Sequence, residues 1–412
     1  MSSITEVARL AGVSTATASR VMSEADYAVS ATTRARVLDA ARTLDYVPNA
    51  LARGLLSSRV PVVGVIVHDI TDPYFSEVVR GVEDAAARGG YLVITCSSDR
   101  IAARENSYVR LLRSMRAAAV IFAGSGLDDE TLNEELRKHV AAMRGYGAAV
   151  VHLSPHALGE PEIGVDNAAG IASMVAALVE LGHRRIAFLA GPTSLYVARD
   201  RLQGYRRGLE DAGLPLDERL IVHTPFDREG GASAVDALLS GDASFTAICC
   251  ANDLLALGAL DRLVELGIDV PEAVSVTGFD DIQVAALTAP SLSTVRLPLR
   301  DLGRRGFEYA DRLLEGETPT SDVLATEVVL RGSTGQPPAH ALPGDRRHST
   351  VTKGQHEHRS ARHRPGVHRH AGRGRPFRRG RVSALPPMAP APGAGGAGHQ
   401  RRYRRGPASL AR

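Results

Sequence analysis

Seven apolar segments, each followed by an amphipathic helical stretch, leave few folds open to this chain. They are "PVVGVIVHD" (61–69), "YLVITCSSD" (91–99), "AAAVIFAGS" (117–125), "GAAVVHLSP" (147–155), "RIAFLAGP" (185–192), "TAICCAND" (246–253) and "VSVTGFDD" (274–281). Continuous apolar runs of this length read as strands buried on both faces, and the intervening helices supply the cover, so a parallel sheet is expected. The segments end in Asp69, Ser97, Ser125, Ser154, Asn252 and Asp280. Polar groups there sit at the carboxyl edge of a doubly wound sheet, where ligands bind. Residues 61–332 hold two such sheets of about 100 to 150 residues each. A cleft between them is a small-molecule site.

Composition agrees. A chain of 412 residues at 44% hydrophobic has enough apolar surface for two to three domains, and with 4% aromatics and no Trp its core must be aliphatic. Cys96, Cys249 and Cys250 have neither CxxC spacing nor a His partner, so no metal site or disulfide framework is expected. The longest apolar stretches, such as "VPVVGVIV" (60–67), are too short to span a membrane, and Met1 is followed by a polar helical pattern rather than a signal peptide. A reducing cytoplasm is the expected compartment, with no membrane partner.

The first 46 residues follow a different rule. In "ITEVARLAGVSTATASRVM", Thr5 is expected to cap a helix over Glu6–Leu10 with Val7, Ala8 and Leu10 inward. Ala11-Gly12-Val13 makes a tight turn, Gly12 supplying positive φ, and Ser14 caps a second helix, Thr15–Met22. Ala18 and Val21 face inward; Thr15, Ala16, Thr17, Ser19 and Arg20 face out. A third helix capped by Ser30 braces the pair. This is a helix-turn-helix, the arrangement that lays its second helix in the major groove of DNA.

These motifs, with "YVPNALARGL", "VGVIVHDITDPYFSEVVRGVEDAA", "GVDNAAG", "ELGHRRIAFLAGP", "ANDLLALGAL", "VPEAVSVTGFDDI" and "ATEVVLRGST", resemble in series the LacI/GalR (lactose repressor-like) family of bacterial transcription factors, from Ile4 to about Gly335. The resemblance implies an all-α helix-turn-helix headpiece (1–47), a hinge helix and linker (48–60), and a periplasmic-binding-protein-like core (61–335). The two subdomains of that core would be joined by crossovers near 156, 287 and 320. Thr15, Ala16 and Arg20 match base-reading positions, and Arg20 alone can bind guanine bidentately. Thr5, Ser14, Thr17 and Ser19 match phosphate contacts. Asn49, Ala52 and Leu55 match the hinge helix, whose leucine wedges into the minor groove. Asp69, Tyr74, Phe75, Ser154, Arg199, Phe226, Asn252 and Asp280 match effector positions, with rings for stacking and charged groups for hydroxyls. The alternative reading of Asn252 and Asp280 is as helix caps. Asp72, Ser154 and Leu297 depart from residues common in the family. The implied function is a homodimeric repressor of a pseudo-palindromic operator, controlled by a small-molecule effector, a carbohydrate, with no cofactor and no catalysis. The alternatives are a sugar receptor or a sugar-active enzyme sharing the core fold. The headpiece weighs against the first. The absence of GxSxG, GxGxxG and Walker loops weighs against the second.

Residues 341–412 hold 17 Lys and Arg against 2 Asp and Glu, leaving 32 against 44 in residues 1–340, so the basic excess belongs to the C-terminal stretch. Arg, His, Pro and Gly dominate 336–412, too little apolar pattern to fold, and a disordered tail is expected. It reads either as a nonspecific nucleic-acid arm or, since the motif series is complete at "VVLRGST", as a passenger extension. Its histidines, among them His356, His358, His363, His368 and His370, suggest no metal site.

Overall fold

The computed structural model describes residues 2–22, 29–46, 59–156, 158, 163–339 and 342. The expected hinge residues Asn49, Ala52 and Leu55, and the C-terminal tail past Leu342, lie outside them.

Helices α1 (Ile4–Ala11), α2 (Thr15–Met22) and α3 (Ala31–Thr43) form the N-terminal headpiece. The cap of α1 is Ser3, not Thr5: the Ser3 hydroxyl accepts from the Glu6 amide and the Glu6 carboxylate reaches back to the Ser3 amide. That reciprocal box needs an acid at the third helical position, which Glu6 fills only if the helix starts at Ile4. Gly12 ends α1 in the left-handed region at φ 65°. Ser14 and Ser30 accept from the amides of Thr17 and Thr33 and so cap α2 and α3. The headpiece core is Val7, Ala8, Ala11, Ala18, Val21, Val37, Ala40 and Ala41. Leu10, expected inward, is half exposed; a helical step of about 100° groups Ala11 with Val7 and Ala8 and turns Leu10 away.

The first α/β layer is a parallel sheet in the order β2-β1-β3-β4: β1 (Val60–Val67), β2 (Leu92–Ser97), β3 (Ala117–Phe122) and β4 (Ala149–His152). Val65 pairs with both Thr95 and Ile121, which fixes the register at the centre. Alternate residues supply its two faces. Val63, Val65, Val67, Ala119 and Ile121 join the larger core beneath α4 (Pro73–Arg88), whereas Val62, Ile66, Val120 and Phe122 pack with Val109 and Leu136 of α5 (Ala102–Ser114) and α6 (Glu130–Arg144).

The second layer repeats the plan in the order β7-β6-β8-β9: β6 (Ile186–Ala190), β7 (Ile221–His223), β8 (Ala247–Cys250) and β9 (Ser275–Thr277). Helices α7 (Asn167–Glu180), α8 (Tyr196–Asp211), α9 (Arg228–Ser240) and α10 (Asp253–Glu265) accompany it. Strand β7 has three residues, too short for an apolar run to announce it.

The chain passes between layers three times. It leaves β4 for β5 (Ile163–Val165), returns through β10 (Thr294–Arg296) to α11 (Leu299–Leu314), and crosses again through β11 (Asp322–Leu324) and β12 (Glu327–Val329). Strand β5 pairs with β11 and β10 with β12, so the passages are stitched to one another. Although late in sequence, α11 packs on α4 of the first layer. A Cβ on Gly81 would lie 2.1 Å from the Arg300 carbonyl oxygen, and one on Gly303 would lie 2.0 Å from that of Val78, so the two glycines let the backbones touch.

The end of the second layer is pinned by His183, wholly buried, whose ring nitrogens bond Thr246 Oγ1 at 2.8 Å, and Ser275 Oγ and the Gly335 carbonyl at 3.1 Å each. Order continues past Gly335, the expected end of the core: Leu342 is 8% exposed and exchanges backbone hydrogen bonds with Phe245. Burying a leucine is worth about 1.5 to 3 kcal/mol. A chain cut after Gly335 is therefore expected to be about 2 kcal/mol less stable to urea than one cut after residue 345. Coincident unfolding curves would assign the Leu342 contact no weight.

Candidate functional site

On α2, Thr15, Ala16 and Arg20 are exposed on the side opposite the buried Ala18 and Val21, and Thr17 and Ser19 flank them half-buried. The hydroxyls of Ser14 and Thr17 bond each other at 2.8 Å, so Ser14 is occupied as a cap while Thr15, Ala16 and Arg20 face outward. Thr5 is an exposed residue of the first turn of α1.

At the carboxyl edges of the sheets a cavity, open to solvent on one side, lies between the layers. Loops after β1, β2 and β3 contribute His68, Arg100, Ala123 and Ser125, the cap and first turn of α4 contribute Asp72, Tyr74 and Phe75, and Ser154 follows β4. The second layer adds Leu195, Val197, Arg201, Phe226, Asn252 and Asp280. Of the expected effector residues, Tyr74, Phe75, Ser154, Phe226, Asn252 and Asp280 thus line one space.

Asp69 and Arg199 do not. Asp69 accepts from the amide and hydroxyl of Thr71, which hold its carboxyl below the usual range and commit it to the turn before α4. Asp72 lines the cavity instead and caps α4 through the Tyr74 amide at 3.0 Å. Arg199 pairs with Asp128 and donates to the Thr193 carbonyl, with about half of its side chain exposed. Two residues along α8 is about 200° of rotation, so Arg201 occupies the inward face that Arg199 cannot reach.

Arg201 is the hub that the sequence reading missed. It donates to Asn167 Oδ1 at 3.0 Å, to the Ala251 carbonyl at 2.6 Å and to Asp280 Oδ1 at 3.2 Å, and its guanidinium lies 4.0 Å from the centre of the Phe279 ring. Burial pushes the Asp280 carboxyl well up, and Arg201, the next influence, pulls it back. Asp280 itself has φ 116°, a strained value held by the hydrogen bond its N–H donates to the Val295 carbonyl at 2.9 Å. Asn252 is both cap and lining: its Oδ1 accepts from Leu255 at the start of α10. Behind it Asp253 accepts from Thr294 Oγ1 at 2.6 Å and from the Ile282 amide at 2.9 Å, and burial raises its carboxyl to about 7. His68 is held down to about 3 by burial, so it is neutral and donates from Nε2 to the Ser125 carbonyl. Phe226 lies against Gly191, where a Cβ would come within 2.1 Å of the ring. Among the described residues no group of three or more His, Cys, Asp or Glu is placed to hold a metal, and no helix is long and apolar enough to cross a membrane.

Known proteins share both parts. Residues 3–49 match the family described as bacterial regulatory proteins, lacI family, and residues 175–334 the periplasmic binding protein-like domain. The transcriptional repressor PurR of Vibrio atlanticus (strain LGP32) is 34% identical over 308 residues, 75% of this chain and 90% of that protein. The chain belongs to the lacI family. Its structure is similar to the lac repressor dimer bound to operator and the anti-inducer ONPF, with TM-score 0.71, 27% identity, and 81% and 99% of the two chains covered. It is also similar to the CelR–cellobiose complex, with TM-score 0.58, 31% identity, and 81% and 100% covered. This lacI-family member is a DNA-binding transcriptional regulator with an effector-binding core, and its relatives are repressors rather than enzymes.

In the regulator Arg201→Ala would leave the Asp280 carboxylate buried without its cation, at a cost of about 3 to 5 kcal/mol. Arg199→Ala, which breaks a solvent-exposed pair, should cost about 0 to 1 kcal/mol. Removing Arg201 raises the folded-state Asp280 carboxyl further above its unfolded value, so the folded variant holds a proton that the unfolded chain releases. Its deficit should widen as pH rises above the ordinary carboxylate range. Urea unfolding of both variants at several pH values checks the ranking and the sign, and a larger loss in Arg199→Ala would reverse the assignment.

Proposed function

We propose that this regulator is a homodimeric, cytoplasmic repressor whose affinity for a pseudo-palindromic operator is set by a small carbohydrate in the cavity. One observation carries the effector reading: Tyr74 and Phe226 bring rings, and Asn252 and the Asp280–Arg201 pair bring charged and amide hydrogen-bonding groups, to one space. Rings stack on the apolar face of a sugar, while carboxylates and guanidinium groups bond its hydroxyls. The likeness to a cellobiose-bound regulator supports the same class.

Two half-sites call for two headpieces, and the operator-bound relative is a dimer. In this reading Thr15, Ala16 and Arg20 meet base edges, Thr5, Ser14, Thr17 and Ser19 meet phosphates, and Asn49, Ala52 and Leu55 enter the minor groove. Arg20 carries the specificity, since a guanidinium matches guanine O6 and N7 together.

Selection of bound sites from random duplex DNA tests the DNA half. Arg20→Ala should lose about 1 to 3 kcal/mol at one guanine and flatten preference there, whereas Ser19→Ala should weaken all sites alike. For the effector half, neutral and charged sugars are titrated onto the selected operator complex. Asn252→Ala should keep operator affinity and lose the response. An unchanged base preference in Arg20→Ala would overturn the first assignment, and a full sugar response in Asn252→Ala the second.

A further inference from the structure

The charged groups that line the cavity are matched internally, with one exception. Asp280 and Arg201 hold each other at 3.2 Å. Asp72 faces the first amides of α4, where a helix start favours negative charge. His68 is neutral. Arg100, which lines the same space, makes no hydrogen bond or ion pair among the described residues, and its Nε is buried without a partner. Arg100 as a whole is only partly buried, but an N–H that water cannot reach is unfavourable unless an acceptor meets it.

The backbone is built to put it there. Asp99 and Arg100 are consecutive non-glycine residues in the left-handed region, at φ 51° and 58°. The turn is fastened to the end of β1: the amides of Ser98 and Asp99 donate to the carbonyls of Val67 and His68 at 2.9 and 2.7 Å. Asp99 is in turn tied to Arg104. Strain of this kind persists where surrounding contacts impose it, and it gathers at ligand sites. Arg100 lies near enough for its charge to act on His68, Asp69 and Asp72.

We propose that the effector carries an oxyanion, a phosphate ester or carboxylate on the sugar, and that Arg100 receives it. The inference rests on the carbohydrate reading above and narrows it. A neutral hydroxyl would give Arg100 a single acceptor, whereas the planar guanidinium fork fits two oxygens of a carboxylate or phosphate. Arg201 stays with Asp280 and orients the ring.

The test uses the full-length protein and three variants of each of several hexoses and pentoses: the neutral sugar, its terminal phosphate and its uronate. Binding is measured by calorimetry and by thermal shift, with inorganic phosphate as a sugar-free probe. The expected result is a charged form binding at least tenfold more tightly than its neutral parent, with that preference abolished in Arg100→Gln and largely kept in Arg100→Lys, which also controls for folding. The phosphate and uronate arms tell the two oxyanions apart. Neutral sugars that bind as tightly as charged ones, or a charged preference that survives Arg100→Gln, would overturn the oxyanion while leaving the carbohydrate reading intact. If no sugar binds but inorganic phosphate stabilises the wild type and not Arg100→Gln, the carbohydrate reading falls and the Arg100 site stands. Silence toward sugars and phosphate alike overturns both.

Discussion

A guanidinium taken out of water must be met on every side, and Arg201 enforces that requirement on the whole second layer. Its three hydrogen bonds reach the first residue of α7, the carbonyl of Ala251 just past β8 and the loop carrying Asp280. None of these can shift alone without exposing a buried charge to an apolar wall. The Phe279 ring beneath it closes the fourth side. Asp253 extends the constraint, because its two oxygens fix the Ile282 amide and the Thr294 hydroxyl, one on each side of the 3₁₀ turn Gln283–Ala286. Polar contacts thus set where the chain leaves the second layer, while the apolar strands set the layer itself.

The return of α11 to the first layer depends on shape rather than charge. Gly81 and Gly303 remove the side chains that would hold α4 and α11 apart, and the resulting contact spans more than 200 residues of sequence. The first sheet is therefore complete only when residues 299–314 are present. A long-range closure of this kind makes folding slow, since the loop must be ordered before the contact rewards it. It also means that the layer nearer the headpiece in sequence is finished by a segment that has already visited the other layer. A movement at the crossovers is then felt by both.

What could be read in the sequence followed from period and chemistry. Apolar runs gave the strands of both sheets except the three-residue β7, and Ser14, Ser30 and Gly12 marked helix ends because capping depends on local residue type. Phase was harder. Arg199 and Arg201 stand two apart in "VARDR", both chemically suited to a cleft, and only the packing of α8 on Ala168 and Asn167 says which one faces it. Asp69 and Asp72 pose the same problem within a turn, where Thr71 captures the first and the start of α4 aims the second. Ser3 outcompeted Thr5 because the box with Glu6 satisfies two amides rather than one. Arg100 carried no sequence signal: its turn is left-handed without a glycine, and the tertiary bonds to β1 that impose this conformation are invisible along the chain.

The division of the cavity between layers bounds what an effector can do. His68, Arg100, Ser125 and Ser154 belong to the first layer, and Arg201, Phe226, Asn252 and Asp280 to the second. A ligand touching both sets binds best in one relative arrangement, and only contacts that differ between arrangements move the equilibrium. A hundredfold change in operator affinity corresponds to about 2.7 kcal/mol of coupling. One or two charge-assisted hydrogen bonds made in a single arrangement supply that much. The coupling is reciprocal, so bound operator must change effector affinity by the same factor. An effector engaged mainly by Arg201 and Asp280 would bind tightly and switch weakly, because those groups are already fixed to each other within one layer. The residues that give the ligand its leverage are those that wait across the cavity, and on the first-layer side the lining cation left without a partner among the described residues is Arg100.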